Sequence, residues 1–168
     1  MYVHIMIIHT FVFAMSLEQD IQQPKFINEF QKAGINLMYT VSYLTNRNQH
    51  HLKSFGLTLP QFNILRILRG QHPKATTVND LIDRMIDKSS NASRIVEKLR
   101  AKKLVERKVC DHDRRAVDII ITEAGLAILE KVDAVEHEFF FGVGSLTEEE
   151  AKQLNFLLDK GRIQINKS

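Results

Sequence analysis

The sequence predicts a mainly α protein with one small β-hairpin, an α+β chain in which the hairpin interrupts a series of amphipathic helices. Three observations predict it. Apolar residues recur at spacings of three and four along most of the chain. Helix-start signals open at Thr58, Thr77 and Thr147. Between Leu104 and Thr122 the pattern changes to β-prone runs on either side of a charged loop.

The elements follow in order. Residues 1–14, MYVHIMIIHTFVFA, are apolar but hold no Lys or Arg, which a secretory signal would want. They are also shorter than the roughly 20 apolar residues that cross a bilayer. We expect Met15, where the polar helical run MSLEQDIQQPKF begins, to be the natural start and residues 1–14 to be an upstream misreading; the rival is an extra docking strand or helix. No repeat, low-complexity segment or long linker follows, so 15–168 reads as a single domain, long enough to bury a core.

Phe26, Phe30, Ala33, Leu37, Val41 and Leu44 lie on one stripe of a helix from about 24 to 53, and Gly56 punctuates its end. In LTLPQFNILRILRG, Thr58 and Gln61 match a capping box, Pro60 sits harmlessly in the first turn, and Gly70 closes the helix. Thr77 and Asp80 repeat that signal more loosely for a short helix with Val78, Leu81, Ile82 and Met85 inward. A fourth helix, about Ser89 to Lys102, buries Ala92, Ile95, Val96 and Leu99. LVERKV and AVDIIIT are the hairpin strands, joined by a loop that contains DHDRR. Thr122 caps a helix through EAGLAILEKVDAVEHEFF, and Thr147 with Glu150 opens the last one.

The formal net charge of +3 is too small to name a partner, but its distribution is uneven. From Arg84 to Arg115 eleven basic residues face five acidic ones, a net +6, which leaves −3 for the rest of the chain. This basic segment coincides with a short helix, a turn, a second helix and the hairpin, the sequence image of a winged helix-turn-helix. In that geometry the second helix enters the major groove of double-stranded DNA with its first residues at the base edges.

Here those residues are Lys88, Ser89, Ser90, Asn91, Ser93 and Arg94. Small hydroxyls and an amide permit close approach, and Arg94 carries the fork that suits guanine. Helix capping and a solvated face account for these residues singly. They do not explain why the densest basic segment falls on the two elements that a winged helix presses against phosphates. Arg114 and Arg115, at the hairpin tip, can reach a narrow minor groove, while Asp113 is suited to holding an arginine or the turn.

These pieces carry a resemblance. From about Leu57 to Gly125, the runs LTLPQFNILRIL, VNDLIDRM, DKSSNASRIVEKLRAKKLVER and DHDRRAVDIIITEAG resemble the MarR family of bacterial transcription regulators, and the likeness extends over almost all of Met15 to Gly161. It implies a winged helix over about 57–122, between dimerisation helices over about 24–53 and 123–165. It also implies a homodimer on a pseudo-palindromic operator; repression is the favoured sign because a dimer bound over a promoter excludes polymerase, and the cytoplasm is the expected site of action. By position, Ser89, Ser90, Asn91, Ser93 and Arg94 would face the major groove, Arg114 and Arg115 the minor groove, and Lys88 and Lys98 phosphates.

Two departures matter. Where many relatives have glycine after the second helix, this chain has Lys103 in AKKLV, and a left-handed non-glycine there costs about 1 kcal/mol, which leaves room for a differently built turn. Peroxide-sensing relatives carry a reactive cysteine in the first helix, whereas the single cysteine here is Cys110, at the wing. Its basic neighbours favour thiolate, though an incidental thiol is the plainer reading. One cysteine forms no internal disulfide, which is compatible with a reducing cytosol. For effector sensing, Tyr39, Tyr43, Phe62 and Arg66 are candidates to line a pocket for a small aromatic or phenolic molecule.

Rival classes are weaker. His50, His51, His72, His112 and His137 form no recognised ligand pair, and no phosphate-cradling loop or nucleophile elbow occurs, so neither an enzyme nor a cofactor is expected. A metal- or thiol-responsive regulator and a winged helix used for protein docking remain the alternatives; no membrane partner is expected.

Overall fold

The computed structural model describes residues 16–109, 117–136 and 146–165. The expectations for residues 1–14, for Cys110, His112, Asp113, Arg114 and Arg115 in the wing loop, and for His137 lie outside the described residues. The chain divides into two compact units, residues 1–43 and 44–168.

In the first unit, α1 (Leu17–Asp20) is a single turn, started by Ser16, whose backbone N–H donates to Gln19 Oε1 at 3.0 Å. The helical run expected from Met15 ends there, because Gln22 turns left-handed (φ 54) and Pro24 disfavours helix in the residue before it. The long helix α2 (Glu29–Ser54) starts later than the expected 24. Asn28 sets the start, its Oδ1 accepting the Gln31 N–H at 2.9 Å, as a good N-cap does. Lys32 and Glu18 pair at 2.6 Å and hold α1 against α2. The apolar stripe forms on α2 from Phe30 to Leu44, with Phe26 left before the helix, yet Phe30 is 89% exposed and Leu37 and Val41 are exposed too.

In the second unit, α2 ends on Gly56 (φ 67): Gly56 N–H donates to Lys53 O at 3.0 Å and Leu57 N–H to Leu52 O at 3.0 Å, the Schellman pattern. The capping box of α3 (Leu59–Gln71) closes as read, with Thr58 N–H on Gln61 Oε1 at 3.1 Å and Gln61 N–H on Thr58 Oγ1 at 3.4 Å. The helix runs through Gly70 and stops one residue later, at Gln71. Thr77 and Asp80 open α4 (Val78–Arg84) with the same reciprocal bonds. Then come α5 (Ala92–Ala101), the hairpin strands, α6 (Glu123–Glu136) and α7 (Glu148–Ile165).

The hairpin is one strand richer than expected. β1 (Thr76–Thr77) pairs antiparallel with β3 (Val117–Ile121), which pairs antiparallel with β2 (Val105–Val109), in the order β1-β3-β2. The hairpin register runs from Val105 opposite Ile121 to Val109 opposite Val117, and Thr76 faces Ile119. Around this sheet Phe62, Leu65 and Leu68 of α3, Leu81 of α4, Val96 and Leu99 of α5, and Leu129 and Val132 of α6 make one core. The observed class is therefore the predicted one, mainly helical with a small antiparallel sheet.

Gly125 explains the end of the TEAG run. A Cβ there would lie 2.3 Å from the Leu104 carbonyl oxygen and 2.6 Å from Ile121 Cγ1, so only glycine lets α6 start this close to the hairpin. Thr122 joins the same elements: its hydroxyl donates to Lys103 O at 2.9 Å and accepts the Gly125 N–H at 3.1 Å. Among the described residues no helix is long and apolar enough to cross a membrane.

Candidate nucleic-acid interface

The turn between α4 and α5 is organised by Asp87. Its Oδ1 accepts the Ser89 backbone N–H at 2.9 Å and the Ser89 hydroxyl at 2.6 Å, and its Oδ2 accepts the Ser90 hydroxyl at 2.8 Å. The Ser89 hydroxyl first, then that of Ser90, holds the carboxyl below the usual aspartate range. Ser89 and Ser90 thus stand before the helix, not in its first turn as the sequence suggested. With both hydroxyls on Asp87, capping passes to Asn91, whose Oδ1 accepts the Arg94 N–H at 3.0 Å, and α5 begins at Ala92.

Ala92, Val96 and Leu99 are buried in the core. That fixes the roll of α5 and turns Asn91, Ser93, Arg94 and Lys98 outward, where all four are exposed. Lys88 and Ser89 are exposed in the turn, and Ser90 is half-buried. The helix and its turn therefore bring together every candidate from Lys88 to Lys98.

Three ties, none of them read from the sequence, join the elements of the second unit, the first two of them at α5. Glu97 bridges Arg100 at 3.1 Å and Arg107 of β2 at 2.5 Å, joining α5 to the wing strand. Lys102 Nζ donates to Gly56 O at 2.5 Å and to Gln61 Oε1 at 3.1 Å, joining the end of α5 to the α2–α3 turn. Arg69 and Asp133 pair at 2.5 Å between α3 and α6. Asp87 was the legible omission, since an Asp two residues before a serine is an ordinary turn signal. Glu97–Arg107, Lys102–Gly56 and Arg69–Asp133 are non-local and leave no spacing to find.

The α5 exit corrects another expectation. Lys103 adopts the left-handed conformation (φ 60), with Lys103 N–H on Arg100 O at 2.8 Å and Leu104 N–H on Leu99 O at 3.0 Å. The turn is built as a glycine would build it, because Leu104 must return to the core beside Leu99.

The four effector candidates fall in two pairs. Tyr39 and Tyr43 lie exposed on α2 in the first unit; partial burial, then the Asp20 carboxylate, pushes the Tyr39 phenol up. Phe62 and Arg66 lie on α3 in the second unit, Phe62 fully buried and the Arg66 guanidinium 5.7 Å from its ring centroid. Among the described residues no three His, Cys, Asp or Glu side chains gather as a metal site.

The sequence profile of the MarR family matches residues 55–116, from the α2–α3 turn to the wing. The HTH-type transcriptional repressor IacR of Pseudomonas putida is 28% identical over 116 residues, 68% of this chain and 68% of that protein. The transcriptional repressor MprA of Escherichia coli strain K12 is 31% identical over 94 residues, 56% of this chain and about half, 53%, of its own length. Among solved structures, S. aureus MepR in complex with DNA aligns with a TM-score of 0.69 at 24% identity, covering 83% of this chain and 99% of that one. The organohalide-sensing regulator RdhR, in a form bound to 2,4-dichlorophenol, aligns with a TM-score of 0.72 at 19% identity, covering 91% of this chain and 88% of its own.

Proposed function

We propose that the chain is a winged-helix transcription regulator of the MarR family, whose profile matches residues 55–116, and from that premise we lay out its DNA-binding surface. It is a DNA-binding transcription regulator. In our reading α5 enters the major groove, Asn91, Ser93 and Arg94 with the preceding Ser89 and Ser90 meet base edges, and Lys88 and Lys98 meet phosphates. Arg114 and Arg115 of the wing reach the minor groove on either side.

One observation carries this reading. The core contacts of Ala92, Val96 and Leu99 leave Asn91, Ser93, Arg94 and Lys98 together on the outer face of a helix that Glu97 and Arg107 lock to the wing strand.

The working unit is a homodimer acting in the cytoplasm as a repressor on an inverted-repeat operator. Phe30, Met38 and Val41 on α2, and Phe156, Leu157 and Ile163 on α7, leave each unit with an uncovered apolar face that a second copy can bury. A small aromatic or phenolic effector releases the operator in the same proposal; RdhR in its 2,4-dichlorophenol-bound form is a precedent on this fold.

Sedimentation of the protein with a labelled duplex of roughly 30 base pairs, about three helical turns, tests the assembly. Two chains per duplex, with affinity that falls steeply as salt rises, is the expected result. A monomer on the duplex, or no binding even at low salt, contradicts it.

A further inference from the structure

We propose that the turn Ile86–Ser90 reads A·T base pairs, Ser89 and Ser90 accepting from the adenine amino group while Ile86 covers the thymine methyl. This rests on the regulator reading above and adds a specificity to it. A serine hydroxyl has one proton, and both serines commit theirs to Asp87, at 2.6 Å and 2.8 Å. What each has left to offer outward is lone pairs. In the major groove the partners for lone pairs are the exocyclic amino groups of adenine and cytosine.

Ile86 removes the remaining choice. It is 80% exposed in the same turn, one residue from Asp87, with its backbone N–H held by Asn63 Oδ1 at 3.3 Å. Its neighbour Met85 is buried, so the exposed isoleucine is not a spill-over of the core. Apolar contact in the major groove is available at the thymine 5-methyl. The base pair that offers both an amino group and a methyl is A·T; G·C offers an amino group without the methyl.

Asp87 is then a positioning residue, and its replacement makes a prediction that loss of structure does not. In Asp87→Asn the amide oxygen still takes the Ser89 N–H, and the amide nitrogen faces Ser90 and donates to it. The Ser90 proton is freed to point outward, which turns an acceptor into a donor that suits the N7 and O6 of guanine.

The experiment uses the full-length protein and the duplex it enriches from a random pool. Each thymine is replaced in turn by deoxyuridine, and each adenine by a purine nucleotide without its 6-amino group. At one or more A·T pairs, loss of the methyl should weaken binding about three- to fivefold. Loss of the amino group should weaken it about two- to tenfold. The methyl effect should vanish in Ile86→Ala, and a second selection with Asp87→Asn should enrich G·C at the position read by Ser90. If an enriched duplex tolerates every such replacement, or Asp87→Asn selects the parent's sequence, the A·T assignment is wrong and the regulator reading stands. If no duplex is enriched at all, the reading falls and this inference with it.

Discussion

Lys103 and Gly56 occupy the same position in two copies of one helix-ending motif, at φ 60 and φ 67, each followed by a leucine that returns its N–H to the last turn. The glycine adopts this conformation without penalty, whereas the lysine suffers a contact between its Cβ and the backbone. Lys103→Gly should therefore stabilise the protein by about 1 kcal/mol, and Gly56→Ala should destabilise it by a similar amount. Urea midpoints of the two variants check this, and a loss of stability in Lys103→Gly would contradict it.

Gly125 and Gly161 should respond oppositely to the same change. At Gly125 a Cβ meets the Leu104 carbonyl, which the hairpin holds in place, whereas at Gly161 in α7 it meets nothing within 4 Å. Gly125→Ala should cost about 1 to 3 kcal/mol through overpacking. Gly161→Ala should add up to about 1 kcal/mol of helix propensity. Thermal melts of both variants separate the outcomes.

Arg94 and Lys98 share the exposed face of α5 but have different assigned tasks. Arg94→Ala should cost about 1 to 3 kcal/mol on the selected duplex and relax its base preference, if the guanidinium makes a bidentate contact. Lys98→Ala should weaken all duplexes alike and reduce the salt slope by about 1. Anisotropy titrations at several salt concentrations distinguish them, and parental binding by both variants would mean that the docking face is elsewhere.

Acid should loosen the helix caps. The Thr77 hydroxyl, then its backbone N–H, holds Asp80 below the usual carboxylate range, and the Thr147 backbone N–H, then its hydroxyl, does the same for Glu150. A carboxyl that is more acidic in the folded state stabilises the fold above its unfolded value, and that contribution disappears as pH falls through the lowered folded value. Asp80→Asn and Glu150→Gln should melt earlier at neutral pH and lose less than the parent below about pH 4. Equal pH profiles for parent and variants would contradict the assignment.

The sequence made the local chemistry legible. Thr58–Gln61, Thr77–Asp80 and Thr147–Glu150 closed as read, because both partners lie within one turn and the side chains carry the signal. The start of α5 was misplaced by three residues because Ser89, Ser90 and Asn91 are all good caps, and only the Asp87 contacts decide among them. The strand Thr76–Thr77 was missed because two polar residues carry no alternation and their partners, Ile119 and Asp118, lie far along the chain. The stripe on α2 was legible as a period, but periodicity does not say what covers Phe30. On the candidate surface, the order Lys88 to Lys98 was legible and the clamp of Glu97 on Arg107 was not, since nothing local links a helix residue to a strand ten positions on.

Selection of bound duplexes from a random DNA pool at near-physiological salt tests the central claim most directly. The account predicts enrichment of an inverted repeat whose half-sites lie about one helical turn apart, one for each α5 of a dimer. A folded, dimeric protein that enriches no sequence would contradict it, and would move the basic face of α5 and the wing to non-selective DNA binding or to an acidic protein partner.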